Sequence, residues 1–303
     1  MKCYAPNYYQ GFACINQRCR HNCCIGWEIE IDEETYARYQ SEDGEFASRL
    51  IEGICHGEEP CFCLGKDERC VFLNENNLCD IILNLGEDAL CQICTDHPRF
   101  RNFFSDREEL GLGLCCEAAA ERILTQQERA AWVCLSGESE EPEIEETAFF
   151  ALRERVIAML QNREISVLAR LEQVKQEFDL SLPEWGYAAW AEVLRNLERL
   201  DKDWDNVIEE LSRKKEIPSS FTREKEIAYE QLSVYFVMRH LAEGLYDGRI
   251  KERLAFALIS TELLMALSQS ATMEELIDLA RGYSAEIEYS QTNLEVMLCN
   301  IAG

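Results

Sequence analysis

Fourteen of the sixteen cysteines lie in the first 116 residues, and four fall within the stretch CINQRCRHNCC, Cys14 to Cys24. Thiols at that density do one of three things: they oxidise to each other, hold a metal, or attack an electrophile. Holding a metal has to offset the cost of deprotonating several thiols and gathering their charges, and a cation at the centre does that for a segment with little core of its own. Cys14, Cys19, Cys23 and Cys24 supply three or four ligands, and Cys70, Cys79, Cys94 and Cys115 return at wider intervals. The first ten residues hold one lysine and no apolar signal core, so the chain reads as cytoplasmic and reduced, which favours ligation over disulfides.

Spacing separates the candidate metals. Structural zinc is usually held by paired short knuckles, whereas this chain has one C-x2-C, Cys91 to Cys94, and no good second one opposite it. The wider C-x4-C-x3-C of Cys14, Cys19 and Cys23, with one remote cysteine, suits an iron–sulfur cluster, and zinc stays as the alternative. Arg18, Arg20, Arg99 and Arg101 flank these positions and are read either as partners of thiolate charge or as ordinary surface arginines. The radical-enzyme spacing C-x3-C-x2-C is absent, since Gly26 stands where its third cysteine would need to be. The four histidines form no H-E-x-x-H, there is no serine elbow, and LGLGL around Gly111 and Gly113 reads as loop or close packing, not a dinucleotide fingerprint.

Charge narrows the partners. Thirty basic against 57 acidic residues give −27, which repels a phosphate backbone and attracts cationic surfaces such as lysine-bearing proteins. Apolar runs fall short of a membrane span. At 303 residues and 47% hydrophobic, the chain has room for two domains.

The elements that must position these residues follow from periodicity. Ile25, Trp27, Ile29 and Ile31 alternate with polar residues or glycine and predict a strand ending at Asp32, which caps a short helix over EETYARYQ. LSGESEEPEIEE, residues 135–146, reads as an acidic linker. Beyond it, ETAFFALRERVIAMLQ, EISVLARLEQVKQEF and LPEWGYAAWAEVLRNLERL carry helical spacing. In TREKEIAYEQLSVYFVMRHLAEGLYDG, Ile227, Ala228, Leu232, Tyr235, Phe236, Leu241 and Leu245 form an apolar stripe, with Thr222 as N-cap and Gly248 as stop. Thr272 to Glu275 has the capping-box pattern. The fold class predicted is mainly α: an irregular cysteine-rich metal-binding domain with short strands over 1–134, the linker, and an all-helical domain over 147–303.

The chain resembles the flagellin lysine-N-methylase family. The motifs that carry the resemblance are PNYYQGFACINQRCRHNCCIGWEIEIDEETY, CVFLNENNLCDIILNLGEDALCQICTDHPRF, LGLGLCCEAAAER and SVYFVMRHLAEGLYDG, which together span most of the chain. The resemblance implies methyl transfer from S-adenosylmethionine to lysines of flagellin and an iron–sulfur cluster, of the 4Fe-4S type, in the cysteine-rich part. By position it implies Cys14, Cys19, Cys23, Cys24, Cys70, Cys79, Cys94 and Cys115 as the recurrent cysteines. Cys3, Cys55, Cys61, Cys63, Cys91 and Cys116 are additions, of which Cys91 or Cys116 can substitute for a neighbour. Cys116 stands where the family has proline, and His97 where it has an aromatic.

Methylating lysine requires the ammonium to lose its proton and the amine to approach a sulfonium methyl in line, in a desolvated site with acidic or aromatic groups around the cation. Tyr235, Arg239, Tyr246 and Asp247 are the candidates on the family-like helix and its end. Tyr235, Arg239 and Tyr246 are expected to share one face, either tyrosine lining a cation site and Asp247 orienting the amine; the plainer reading of the group is core aromatics and an interior ion pair. The other function class is a non-catalytic iron–sulfur or zinc-binding sensor that presents its helical part to a partner.

Overall fold

A computed structural model describes residues 1–57, 59–137, 142–180, 182–183 and 185–302. The chain divides into two compact units: Ala13–Arg99, and Met1–Phe12 together with Phe100–Gly303. The fold is mainly α with some strands, as composition and periodicity predict. The units are not drawn at the acidic segment, whose middle, residues 138–141, lies outside the described residues.

The larger unit is built on a four-stranded sheet ordered Arg99–Phe103, Arg107–Leu112, Lys2–Pro6, Trp132–Ser136. Lys2–Pro6 pairs parallel with Arg107–Leu112, Tyr4 opposite Glu109, and antiparallel with Trp132–Ser136, Pro6 opposite Trp132. Gly111 is where the LGLGL stretch turns out to be close packing. A Cβ there would lie 2.1 Å from Cζ of Phe100, so only glycine admits that ring.

The helices of this unit stand where periodicity puts them: Ile144–Leu160, Val167–Glu177 capped by Ser166, and Tyr187–Arg195. Thr222 accepts from the N–H of Lys225 and starts Arg223–His240, and Thr272 and Glu275 form the reciprocal capping box of Met273–Tyr283. The apolar stripe expected on Arg223–His240 is instead burial on every side from Ile227 to Met238. Its long neighbour Ile250–Leu267 is buried almost as fully, so the pair forms the centre of the core and not a surface layer. Buried polar residues there form specific hydrogen bonds, although Oε1 of Gln231 has no partner among the described residues. Glu230 takes the guanidinium groups of Arg163 and Arg170, both at 2.8 Å, and Gln231 donates to the carbonyls of Gln126 and Glu128. The helix ends at His240; a separate turn, Gly244–Asp247, stops at Gly248, whose φ of +73° is the left-handed C-cap expected of it.

The smaller unit holds the short helices Glu33–Gln40, Ala47–Glu52, Asp80–Leu85 and Gln92–Asp96 and a hairpin of Ile54–His56 with Pro60–Phe62. Asp32 caps the first helix by accepting from the N–H of Thr35 at 2.9 Å. The strand expected from Ile25 to Asp32 reduces to isolated bridges, Ile25 to Arg69 and Glu30 to Cys61. Ile29 and Ile31 are buried as the alternation requires, but Ile25 and Trp27 are exposed. The cause is Gly26, whose φ of +93° breaks the extended backbone while the indole of Trp27 folds back to donate to the carbonyl of Cys23 at 2.6 Å. Phe62 and Phe72 meet edge to face at 5.3 Å in the core of the unit.

Candidate functional site

Two constellations carry chemistry, one in each unit. In the smaller unit, buried Cys70 and Cys91 belong to the core, and Cys24, Cys79 and Cys94 pack against it half-buried. Cys23 shares a hydrogen bond with Cys24, and Cys91 shares one with Cys94. Burial pushes Cys70 up to about 11 and raises Cys79; Cys24 and Cys94 are raised by the hydrogen bond to their partner thiol and then by burial. As they stand, no three His, Cys, Asp or Glu side chains among the described residues are disposed as the ligands of one ion.

The set is not the one that spacing selects. Cys14 is exposed, its sulfur accepting from the N–H of Asn16, and Cys19 is half-buried beyond the turn Asn16–Arg18. Cys115 belongs to the larger unit. Cys91, read as an addition, lies fully buried among the recurrent cysteines. Cys55 and Cys63 are joined as a disulfide, against the expectation of reduced thiols. Cys55 is the middle residue of Ile54–His56, opposite Cys61, and Cys63 follows Phe62, the partner of Ile54; their Cα atoms are 5.1 Å apart, within bridging range. Of the flanking arginines, Arg99 donates to the carbonyl of Thr95 and Arg101 pairs with Glu108. The donor chemistry of the group suits a thiophilic metal or cluster: soft sulfur held in or against an apolar core.

In the larger unit the constellation forms around Glu288. A π-helical turn, Ser284–Glu288, brings this carboxylate into the core beneath Arg223–His240. The hydroxyl of Tyr235 lies 3.1 Å from both its oxygens, Nε of Arg239 lies 3.2 Å away, and Nε2 of His240 is at 2.5 Å. Tyr235 also accepts from the N–H of Leu114 at 3.1 Å and from Arg239 at 2.9 Å. Although burial opposes its charge, the Arg239 guanidinium, followed by His240, holds Glu288 below the usual carboxylate range. Burial keeps His240 below the usual imidazole range. The guanidinium of Arg239 lies between the rings of Phe100 and Tyr289, 5.1 and 4.8 Å from their centroids. Cys115 is hydrogen-bonded to Tyr289, and burial pushes its thiol up to about 12.

Of the four residues singled out on this helix and its end, Tyr235 and Arg239 meet here and Tyr246 and Asp247 do not. The shared face fails because the helix stops at His240. Tyr246 is 66% exposed and donates to the carbonyl of Phe103, while Asp247 pairs with Arg249 at 3.1 Å and Arg253 at 2.7 Å. The sequence carried no signal for Glu288 or Tyr289, which lie about fifty residues further on in an unremarkable stretch, SAEIEYS.

The curated relatives matched are these. The lysine-N-methylase of Salmonella choleraesuis (strain SC-B67) is 27% identical over 139 residues, 42% of this chain and 33% of the relative. That of Salmonella typhimurium (strain LT2) is 27% identical over 133 residues, with the same shares. The flagellar biosynthetic protein FliU of Salmonella muenchen is 26% identical over 133 residues, 42% of this chain and 79% of the relative. The match thus spans a third of the length of the two lysine-N-methylases. No family model and no solved structure matches the chain. Among the described residues no helix is long and apolar enough to cross a membrane. Over 42% of its length, the chain is thus similar to proteins named lysine-N-methylase and FliU.

Proposed function

We propose that the protein is an S-adenosylmethionine-dependent protein lysine N-methyltransferase that acts on flagellin or a similar protein with exposed lysines, and that its smaller unit holds an iron–sulfur cluster. The observation that carries this reading is the match to proteins named lysine-N-methylase and FliU. The net charge of −27 supports it, since an acidic surface attracts a lysine-rich substrate. Of the recurrent cysteines of the smaller unit, Cys24, Cys70, Cys79 and Cys94 lie in or against its core with Cys23 next in sequence to Cys24, and these would hold the cluster, which organises a segment of short helices around sulfur. S-adenosylmethionine supplies the electrophilic methyl group.

The chain's own contribution is positional. Glu288 fixes Tyr235 and Arg239 in one geometry, and Arg239 in turn orders the rings of Phe100 and Tyr289. Tyr235 is fully buried and so acts through its neighbours; Tyr289, 44% exposed, is the aromatic of this group that solvent and a substrate side chain can reach. The test is incubation of anaerobically prepared protein with methyl-labelled S-adenosylmethionine and flagellin, followed by mass spectrometry of flagellin lysines. Label on lysine Nζ supports the reading. Its absence, with iron, sulfide and S-adenosylmethionine all bound, leaves a non-catalytic metal-binding protein.

A further inference from the structure

Cys55, Cys61 and Cys63 are cysteines to which the family resemblance gives no role, and one short hairpin brings all three together. Ile54–His56 pairs antiparallel with Pro60–Phe62, so that Ile54 lies opposite Phe62 and Cys55 opposite Cys61. Ile54 and Phe62 are 5% and 2% exposed and belong to the core of the smaller unit. Side chains alternate along a strand, so Cys55 and Cys61 point away from that core, Cys55 exposed and Cys61 half-buried. Cys63 follows buried Phe62 and is half-buried in its turn, with its N–H donating to the carbonyl of Gly53 at 2.9 Å.

Cys55 therefore has two sulfur partners within reach. Residues directly opposite on antiparallel strands have Cα atoms about 4.5–5.5 Å apart, inside the span of about 4.4–6.8 Å that a disulfide accepts. The diagonal neighbour, Cys63, holds the bond, its Cα 5.1 Å from that of Cys55. Cys61 is a free thiol that donates to the carbonyl of Cys55 at 3.9 Å, so the unbonded sulfur lies against the residue whose Sγ the bond engages. On its other side Cys61 bridges to Glu30. Burial, and then the carboxylates of Glu28 and Glu30, raise its thiol, which slows its attack without moving the sulfur.

We infer that these residues form a thiol–disulfide exchange site in which Cys61 and Cys63 compete for Cys55. The Cys61 thiol gives its proton to solvent and the thiolate attacks Sγ of Cys55. The Cys55–Cys63 bond breaks, and Cys63 leaves as a thiolate that takes a proton from solvent. One S–S bond forms as another breaks, so there is no net oxidation or reduction. The exchange moves the free thiol from Cys61, beside Glu30, to Cys63, and the shared sulfur is the exposed one. It is independent of what the other sulfurs of the unit hold.

The test maps linkages in the folded full-length chain. Wild type, Cys61→Ser and Cys63→Ser are each equilibrated with oxidised and reduced glutathione, quenched in acid, and unfolded with free thiols blocked. Chymotrypsin then cuts after Phe62 and separates Cys61 from Cys63 for mass spectrometry. Wild type should show both Cys55–Cys63 and Cys55–Cys61, Cys61→Ser the first alone, and Cys63→Ser the second alone. Cys63→Ala is the form to read should the serine variant not fold by circular dichroism. Wild type carrying Cys55–Cys63 alone, or all three thiols free, would overturn the inference. So would a folded Cys63→Ser or Cys63→Ala protein that leaves Cys55 and Cys61 unlinked.

Discussion

Replacing Glu288 by glutamine tests whether the polar constellation of the larger unit is held together by one charge. The carboxylate is fully buried and receives Tyr235, Arg239 and His240, while the side chain of Arg239 is only 11% exposed. Glutamine keeps the shape but removes the charge that balances the guanidinium and turns an –NH2 toward three donors. Breaking a buried pair from one side costs about 3–5 kcal/mol, because the remaining ion is left uncompensated. On the scale of about 1.4 kcal/mol per decade, that is at least a hundredfold in the folded-to-unfolded ratio. Urea unfolding followed by circular dichroism at 222 nm measures it. The double variant Glu288→Gln/Arg239→Met removes the stranded charge and should be more stable than Glu288→Gln alone. A loss under about 1 kcal/mol for the single variant, or a double variant as unstable as the sum of both singles, would refute the reasoning.

Arg153→Met strands Glu109, which it holds through two hydrogen bonds of 2.6 Å with both side chains 1% exposed, and should cost about 3–5 kcal/mol in the same unfolding assay. Gly111→Ala drives a methyl group into the ring of Phe100 and should cost about 1–3 kcal/mol; because that ring covers Arg239, the proposed methyl transfer should fall with it, as read by label incorporation. Thr272→Ala removes the capping box of Met273–Tyr283 and should cost about 1 kcal/mol, with lost protection of the first-turn amides in hydrogen exchange. Acidification should destabilise the larger unit in two stages. The unfolded chain binds a proton at His240 that the folded form refuses, so stability falls as pH drops below about 6.5; Glu288, held below 4.5 in the fold, adds its loss beneath that value. His240→Gln should flatten the first stage in pH-dependent urea midpoints and leave the second.

What the sequence made legible is local. Asp32, Thr222 and Thr272 act as caps because a side-chain oxygen three residues before an N–H is a contact that short spacing alone specifies. The long helices were visible for the same reason. Glu288 was not, because what makes it special is the core around it, reached through a π turn some fifty residues from Tyr235. Counting cysteines picked out the sulfur-rich segment but not which of its thiols the core buries. Cys14, Cys19 and Cys23 are close in sequence, yet Cys91 lies in the core and Cys14 does not, since burial depends on Phe62, Phe72 and Ile81 more than on intervals between thiols. Gly26 defeated the alternation at Ile25 and Trp27 through one backbone angle.

The strand Lys2–Pro6 is made first but finds its neighbours late. Its parallel partner begins at Arg107, and its antiparallel partner at Trp132. Between them in sequence the whole of Ala13–Arg99 must be synthesised. Closing a loop of that length delays the sheet, so on the ribosome the sulfur-rich unit emerges while the strand that opens the chain still lacks both edges. Assembly of the larger unit is thus ordered by topology: whatever the cysteines acquire, they have the opportunity to acquire it before the sheet can close.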